Sequence, residues 1–188
     1  MGDAMRLPPS EREYRDTVGL FSTGVAVIVA SVGGEVFAMT ANAVASLSLS
    51  PMLVMFAPGK HSRFAQRVGE VKDYSINILR SEQQALSTYF AGGWKAAAPP
   101  PFRFVPFGAA LRLEGCLACI ECSNVQVLEV GDHWLVIGQA EGLHRGIEPH
   151  QPLAFFKGRY RNIDVSHGAP APDLADAHDE PAHIYYPA

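Results

Sequence analysis

The sequence lacks the motifs by which nucleotides are most often held. No G-x-G-x-x-G follows a β-like run, and no G-x-x-x-x-G-K-[ST] occurs, which excludes the dinucleotide-binding turn of a Rossmann fold and the P-loop. G-x-S-x-G and H-E-x-x-H are missing too, removing the hydrolase elbow and the zincin helix. Charge is scarce: 18% of the 188 residues are Asp, Glu, Lys or Arg, against roughly 25% in an average soluble domain. A surface so poor in charge points to a buried subunit interface. The net charge is −4 and no long basic cluster offsets it, so nothing here attracts nucleic acid. No apolar run reaches the ~18 residues of a membrane span. "MGDAMRLPPSEREY" carries no apolar centre of a signal peptide, and Arg6 breaks the myristoylation pattern, so a cytoplasmic protein is expected.

Cysteine is nearly absent. Cys116, Cys119 and Cys122 fall in "GCLACIECSN" at a spacing that iron–sulfur and metal sites also use. A cluster wants a fourth thiolate, which the chain does not have. The local pattern reads as strand, so the three are expected to be buried, reduced thiols. The histidines, His61, His133, His144, His150, His167, His178 and His183, form no close pair in the part that should fold, and no metal site is expected.

What the chain does contain is β-structure punctuated by turns. Ser10 with Glu13 makes a capping box, and Tyr14, Val18 and Phe21 follow at helical spacing, predicting a helix from about Ser10 to Phe21. "GVAVIVASV" is a β-branched run, joined through Gly33-Gly34 to "EVFAMTANA" as a hairpin. "PMLVMFA" and "YSINIL" read as strands. Ser62 can open a short helix through Phe64, Ala65 and Val68; Ser81 with Gln84 suggests a second capping box before Leu86, Tyr89 and Phe90. "GGWKAAAPPPFRF" contains three consecutive prolines and must be an irregular surface loop. "ALRLEGCLACIECSNVQVLEV" reads as a long strand, Gly131-Asp132 as a turn, "HWLVIGQAEGL" as its partner, and "PLAFFKGRYRNI" as a final strand. Roughly seven strands joined by hairpins or single helices are not the strand–helix alternation of a doubly wound sheet. The expected fold is mainly β, an antiparallel barrel with a few peripheral helices, spanning residues 1–165; residues 166–188, rich in Ala, Pro, Asp and His, read as a weakly ordered tail. No internal repeat is present.

One stretch raises a functional question. "MTANAVASLSLSPMLVMF" places Thr40, Asn42, Ser46, Ser48 and Ser50 among alanines, beside a segment that looks buried. Small residues let another body approach the backbone, and short hydroxyls and an amide offer polar atoms near main-chain height. Together they suit a shallow bed for a flat ligand with polar edges. Lys60 and Ser62 in "APGKHSRF" then add an ammonium, a hydroxyl and a helix start, which is chemistry a phosphate wants. The alternative is plainer: solvent-face serines on a strand, and Ser62 as a helix cap. Composition alone leans to the plainer one.

The ordered set "YRDTVGLFSTGVAVIVA", "MTANAVASLSLSPMLVMF", "GKHSRF", "YSINIL", "VGDHWLVIGQAEGL" and "PLAFFKGRYRNI" resembles the flavin reductase-like family, small reductases with an FMN-binding split β-barrel. The likeness covers about Tyr14 to Ile163. It implies a homodimer of split barrels, each holding FMN or FAD near the interface, with NADH or NADPH as co-substrate and a separate oxygenase component as recipient of reduced flavin. Thr40, Ala41, Asn42, Ser46 and Ser48 match the bed of the isoalloxazine and ribityl chain. Ala57, Lys60, His61 and Ser62 match the phosphate-holding positions, although relatives often carry a polar residue where Ala57 stands. Gly131, Asp132 and His133 match a triplet linked to nicotinamide-nucleotide use. His144, Phe156 and Tyr160 match positions near the ring or the nicotinamide, and Trp94 is either a flavin cover or a loop anchor. No side chain is expected to serve as catalytic acid, base or nucleophile. Two other functions remain in view: a flavin-binding electron carrier or sensor without NAD(P)H turnover, and a non-redox barrel that binds a small ligand.

Overall fold

The structure, a computed structural model, describes residues 8–147 and 150–163. The expected tail, residues 166–188, lies outside the described residues. The fold is mainly β, as expected. Twelve strands are described where the patterning suggested seven, and seven of them form the main antiparallel sheet. They are β1 (Thr23–Gly24), β2 (Ala26–Val32), β3 (Glu35–Ala41), β4 (Val44–Leu49), β5 (Met52–Phe56), β6 (Asp73–Ile78), β7 (Phe104–Phe107), β8 (Ala110–Leu113), β9 (Ala118–Val130), β10 (His133–Arg145), β11 (Ala154–Phe156) and β12 (Arg159–Arg161).

The main sheet runs in the order β3-β2-β6-β9-β10-β5-β4. Its two edge strands are neighbours in sequence. Only Asn42 and Ala43 lie between the last residue of β3 and the first of β4, and a link of that length spans at most about 11 Å. The two ends of the sheet must therefore meet at one corner, and the sheet curls into a split barrel. Packing agrees. Ile28 of β2, Phe56 of β5, Tyr74 of β6 and Val136 of β10 share one core cluster, although β2 and β5 stand four places apart in the strand order.

β2 is buried on both faces, which accounts for its unbroken β-branched run. Ala26, Ile28 and Ala30 point into the barrel, whereas Val27 and Val29 face a second cluster with Leu79, Leu86, Leu113 and Leu153. That outer cluster is covered by helix α2 (Gln84–Phe90), the β7–β8 hairpin, and a small sheet in which β11 lies between β1 and β12.

The Gly33-Gly34 turn forms as expected, with φ of 59° and 82° at its two residues, the geometry only glycine adopts cheaply. Gly131-Asp132 likewise joins β9 to β10. Helix α1 (Glu11–Val18) starts at the Ser10–Glu13 capping box but stops short of Phe21, and none of its residues is buried. Four expectations are corrected. The final strand is a hairpin, β11–β12, turning at Lys157-Gly158, where Lys157 itself takes φ 52°. The long strand over residues 110–130 breaks between β8 and β9 at Glu114–Leu117. The second capping box sits one residue earlier than expected: Gln83 Oε1 accepts the Arg80 N–H at 2.9 Å. The short helix after Ser62 is a six-residue 3-10 turn, Ala65–Glu70.

Cys116, Cys119 and Cys122 are buried free thiols. Burial pushes Cys119 and Cys122 up to about 12. Among the described residues no group of His, Cys, Asp and Glu is arranged to hold a metal, and no helix is long and apolar enough to cross a membrane.

Candidate functional site

Three shallow depressions follow one another along the barrel wall where β3 gives way to β4. The first, about 210 Å³, is lined by Thr40, Asn42, Ser87, Phe155 and Tyr160 with Val25 and Ala91. The second, about 180 Å³, shares Asn42 with the first and continues over Gly24, Ala26, Val44 and Ile120. The third, about 160 Å³, shares Ile120 with the second and ends among Ser46, Ser48, Ala140 and Leu143. Asn42 and Ile120 thus join them into one trough. Among the described residues its lining includes no carboxylate, lysine, arginine or histidine.

The polar groups at the first depression are fixed by one another. Thr40 Oγ1 donates to the Ser87 carbonyl at 2.7 Å, and Ser87 Oγ lies 2.9 Å from the Tyr160 hydroxyl. Asn42 Nδ2 reaches Thr23 Oγ1 at 3.4 Å, a loose contact that leaves the exposed amide adaptable. β4 is an edge strand, so alternate N–H and C=O groups along it point away from β5, and the ladder is offset between Ser46 and Ser48.

Thr40, Asn42, Ser46 and Ser48 of the expected bed line this trough, and Tyr160, expected near the ring or the nicotinamide, lines its first depression. Ala41 is not part of the lining: its side chain belongs to the barrel core. Phe155, and not Phe156, lines the first depression. Read as one strand, residues 156 and 160 would share a face; with the turn at Lys157-Gly158, Phe155 pairs directly with Tyr160 and the two rings meet edge-on at 5.5 Å. Phe156 instead sits beneath the Lys157 ammonium at 5.4 Å.

The second group gathers one loop further on. Ala57 N–H donates to the Ala43 carbonyl at 3.1 Å, tying the start of the loop to the corner between β3 and β4. Lys60 N–H donates to the Asp132 carbonyl at 2.9 Å, and its ammonium donates to the Gly131 carbonyl at 2.6 Å and pairs with Glu129. Gly59 bridges to His133, whose Nδ1 is 2.7 Å from Asp132 Oδ1; that contact holds the Asp132 carboxyl below its usual range. So the Ala57–Ser62 loop and the Gly131–His133 turn, far apart in sequence, form one corner. Ser62 acts as a cap, its Oγ accepting the Ala65 N–H at 3.1 Å, and His61 is exposed.

Two expected residues stand apart. His144 lies against Phe107 at the other end of β10 from His133, about 35 Å of strand away, so one subunit cannot bring them to one ligand. Trp94 closes its own loop, donating to the Ala98 carbonyl at 2.8 Å. Sequence reasoning missed Ser87 and Phe155. A serine on the apolar face of α2, next to Leu86, was the available signal for the first; the second needed the β11–β12 turn. Glu129 had no signal at all, because its partner is 69 residues away.

A curled antiparallel sheet with an uncharged, hydroxyl- and aromatic-lined trough at its seam defines a ligand-binding split barrel. The sequence profile described as "Flavin reductase like domain" matches residues 18–164, and the chain belongs to that family. It is 33% identical over 166 residues to the flavin-dependent monooxygenase reductase subunit HsaB of Rhodococcus jostii (strain RHA1), covering 86% of this chain and 82% of that one. It is 32% identical over 154 residues to an NADH-dependent flavin reductase of Rhodococcus sp, covering 80% and 85%. Among solved structures, flavin reductase PheA2 superposes with a TM-score of 0.77 at 35% identity, covering 83% of this chain and 99% of that one. The NADH:FAD oxidoreductase SgcE6 of Streptomyces globisporus C-1027, solved with NAD and FAD fragments, does so with 0.76 at 27% identity, covering 88% and 100%.

Proposed function

We propose that this chain is an NAD(P)H-dependent flavin reductase that passes a hydride from the nicotinamide to FMN or FAD and supplies the reduced flavin to a partner monooxygenase. The observation that carries the reading is the trough from Tyr160 to Leu143, three depressions joined by shared lining residues and bordered by the outward-facing backbone of β4. Its small floor residues, Gly24, Ala26 and Ala140, and its alternating N–H and C=O groups fit a flavin's flat tricycle and its donor–acceptor edge. The flavin, when bound, supplies the hydride-accepting chemistry.

The protein's part is placement. Thr40, Asn42, Ser46 and Ser48 line the ring and ribityl bed, with Ala41 contributing backbone alone. Phe155 and Tyr160 border one end. Ala57, Lys60, His61 and Ser62 hold the phosphate end, and Asp132 and His133 border that corner for the nicotinamide nucleotide. β4 N–H groups face the place where reduction develops negative charge, and preorganised donors there favour the reduced state. Hydride transfer needs no side-chain acid or base, in keeping with a trough free of titrating carboxylates and amines.

The working unit is a homodimer. Leu47, Leu49, Met52 and Leu143 are exposed around the third depression, and Tyr14, Leu20 and Phe21 at helix α1 are also uncovered. Apolar exposure on this scale marks an interface, and a second subunit would complete the trough and bring its own His144 toward it. A cytoplasmic setting suits the three reduced thiols.

The test is anaerobic titration of the purified protein with NADH and with NADPH, adding FMN and FAD in turn, while following loss of the oxidised flavin's visible absorption. Bleaching with at least one pair is expected. Tight flavin binding with no bleaching by either nucleotide would reduce the protein to a flavin carrier, and no flavin uptake at all would remove the reading.

A further inference from the structure

A second cleft, of about 400 Å³, shares no lining residue with the trough. It lies along the free edge of β3, beside the C-terminal end of α2 and the segment leading into β7. Its walls are aromatic: Phe37, Tyr89, Phe90, Phe102 and Phe104. Phe90 stands 5.0 Å from Phe102 and 5.9 Å from Phe104, ring centre to ring centre, while Phe102 is still 37% exposed.

Two further features meet these rings. The Gly33-Gly34 turn fixes which backbone groups β3 offers. Val32 and Glu35 flank a two-residue turn and so form a hydrogen-bonded pair; alternation then makes Ala30 and Phe37 the next such pair. Val36 and Ala38 between and beyond them turn their N–H and C=O away from β2. β3 is the sheet edge, and no strand among the described residues takes these groups up. Arg63 supplies the second feature. Its neighbour Arg67 is committed to Glu35 and Glu70, whereas the Arg63 guanidinium is exposed, lines the cleft, and has no carboxylate partner among the described residues.

We infer that this cleft binds the adenosine phosphate portion of a nucleotide. Aromatic walls stack a planar base, worth about 1–3 kcal/mol per base in nucleic-acid sites. An N–H and a C=O at a strand edge match the acceptor and amino donor on adenine's rim. A free guanidinium binds a phosphate through paired N–H donors. A docked peptide strand would need a longer edge than the two residues, Val36 and Ala38, that face the cleft. Ala38 is two residues from Thr40 of the trough on the same face of β3, about 7 Å along the strand, and Gly92 of the cleft follows Ala91 of the trough. The nucleotide is thus the adenosine half of the dinucleotide co-substrate; that assignment, unlike the cleft itself, rests on the reductase reading.

The test uses the full chain and 5′-AMP as probe, by calorimetric titration, with ribose 5-phosphate and inorganic phosphate for comparison. AMP should bind, the two base-free phosphates at least about tenfold more weakly. Arg63→Gln should weaken AMP about tenfold or more, as loss of a charged hydrogen bond does, and leave FMN affinity unchanged; Phe102→Ala should weaken AMP with little effect on phosphate. AMP that competes with NADH supports the cleft and its assignment to the dinucleotide's adenosine half; AMP that binds without competing overturns that assignment while the reductase reading, tested by flavin bleaching, is untouched. No AMP binding, or AMP binding indifferent to both substitutions, overturns the site. FMN titrations run in parallel report separately on the trough.

Discussion

Replacing Lys60 with Met isolates what its ammonium does. In the structure that ammonium pairs with Glu129, donates to the Gly131 carbonyl at 2.6 Å and lies 5.7 Å from the centre of the Trp134 ring. The Lys60 side chain is 26% exposed and that of Glu129 65% exposed, so water reaches the pair from the Glu129 side. Such a pair contributes about 0.2–1 kcal/mol to stability, and methionine keeps most of the packing on Trp134. A charged hydrogen bond to a ligand phosphate contributes about 1.5–3 kcal/mol, which corresponds to about 10- to 150-fold in dissociation constant. FMN affinity should therefore fall by about that factor while the melting temperature moves little. Riboflavin has the same ring and ribityl chain without the phosphate, and its affinity should not change. Glu129→Gln should act in the other direction, tightening FMN a few-fold by removing the anion that competes for the ammonium. Fluorescence-quenching titrations of the parent and both variants with FMN and riboflavin read these constants. If Lys60→Met weakens FMN and riboflavin equally, or neither, the ammonium does not meet the phosphate and the corner has been misassigned.

Three further outcomes follow from the packing. Gly138→Ala should cost at least about 1–3 kcal/mol in urea unfolding, because a Cβ there would lie 2.1 Å from the Tyr74 hydroxyl and 3.0 Å from the Ser123 carbonyl; Tyr74→Phe should recover part of the loss, and a parent-like midpoint for the single substitution would refute the clash. Unfolding stability should fall as pH rises from 9 towards 12: the folded state keeps Cys119 and Cys122 protonated up to about 12, the unfolded chain releases those protons near 9, and each thiol then removes about 1.4 kcal/mol per pH unit; a flat profile over that range would contradict their burial. Leu49→Glu with Leu143→Glu should convert a dimer to a monomer by light scattering and weaken flavin binding, whereas an unchanged mass would place the interface elsewhere.

The elements that could be read from sequence are those set by local chemistry. Ser10 and Glu13 make their capping box within three residues, and Gly33-Gly34 and Gly131-Asp132 make turns that need nothing from the rest of the chain. The turn at Lys157-Gly158 was hidden because a lysine takes the left-handed conformation there, against its own preference. That one turn decides whether Phe155 or Phe156 shares a face with Tyr160, so a local feature changes which ring lines the first depression. The run of small residues from Thr40 to Ser48 was legible because side-chain size is written directly in the sequence, and four of them, Thr40, Asn42, Ser46 and Ser48, line the depressions. The pairing of Lys60 with Glu129, and of Ser87 with both Thr40 and Tyr160, was not. Those contacts exist only once the sheet has curled, and no periodicity encodes them.

Among the described residues the two-residue link at Asn42-Ala43 is the covalent fastening between the sheet's two edge strands, like a rivet of a hoop. Away from that rivet the two borders are held to each other by side-chain packing in the barrel core. A flat molecule lying across the gap would hold both borders at once, so the same body that fills the groove would also act as its second fastener.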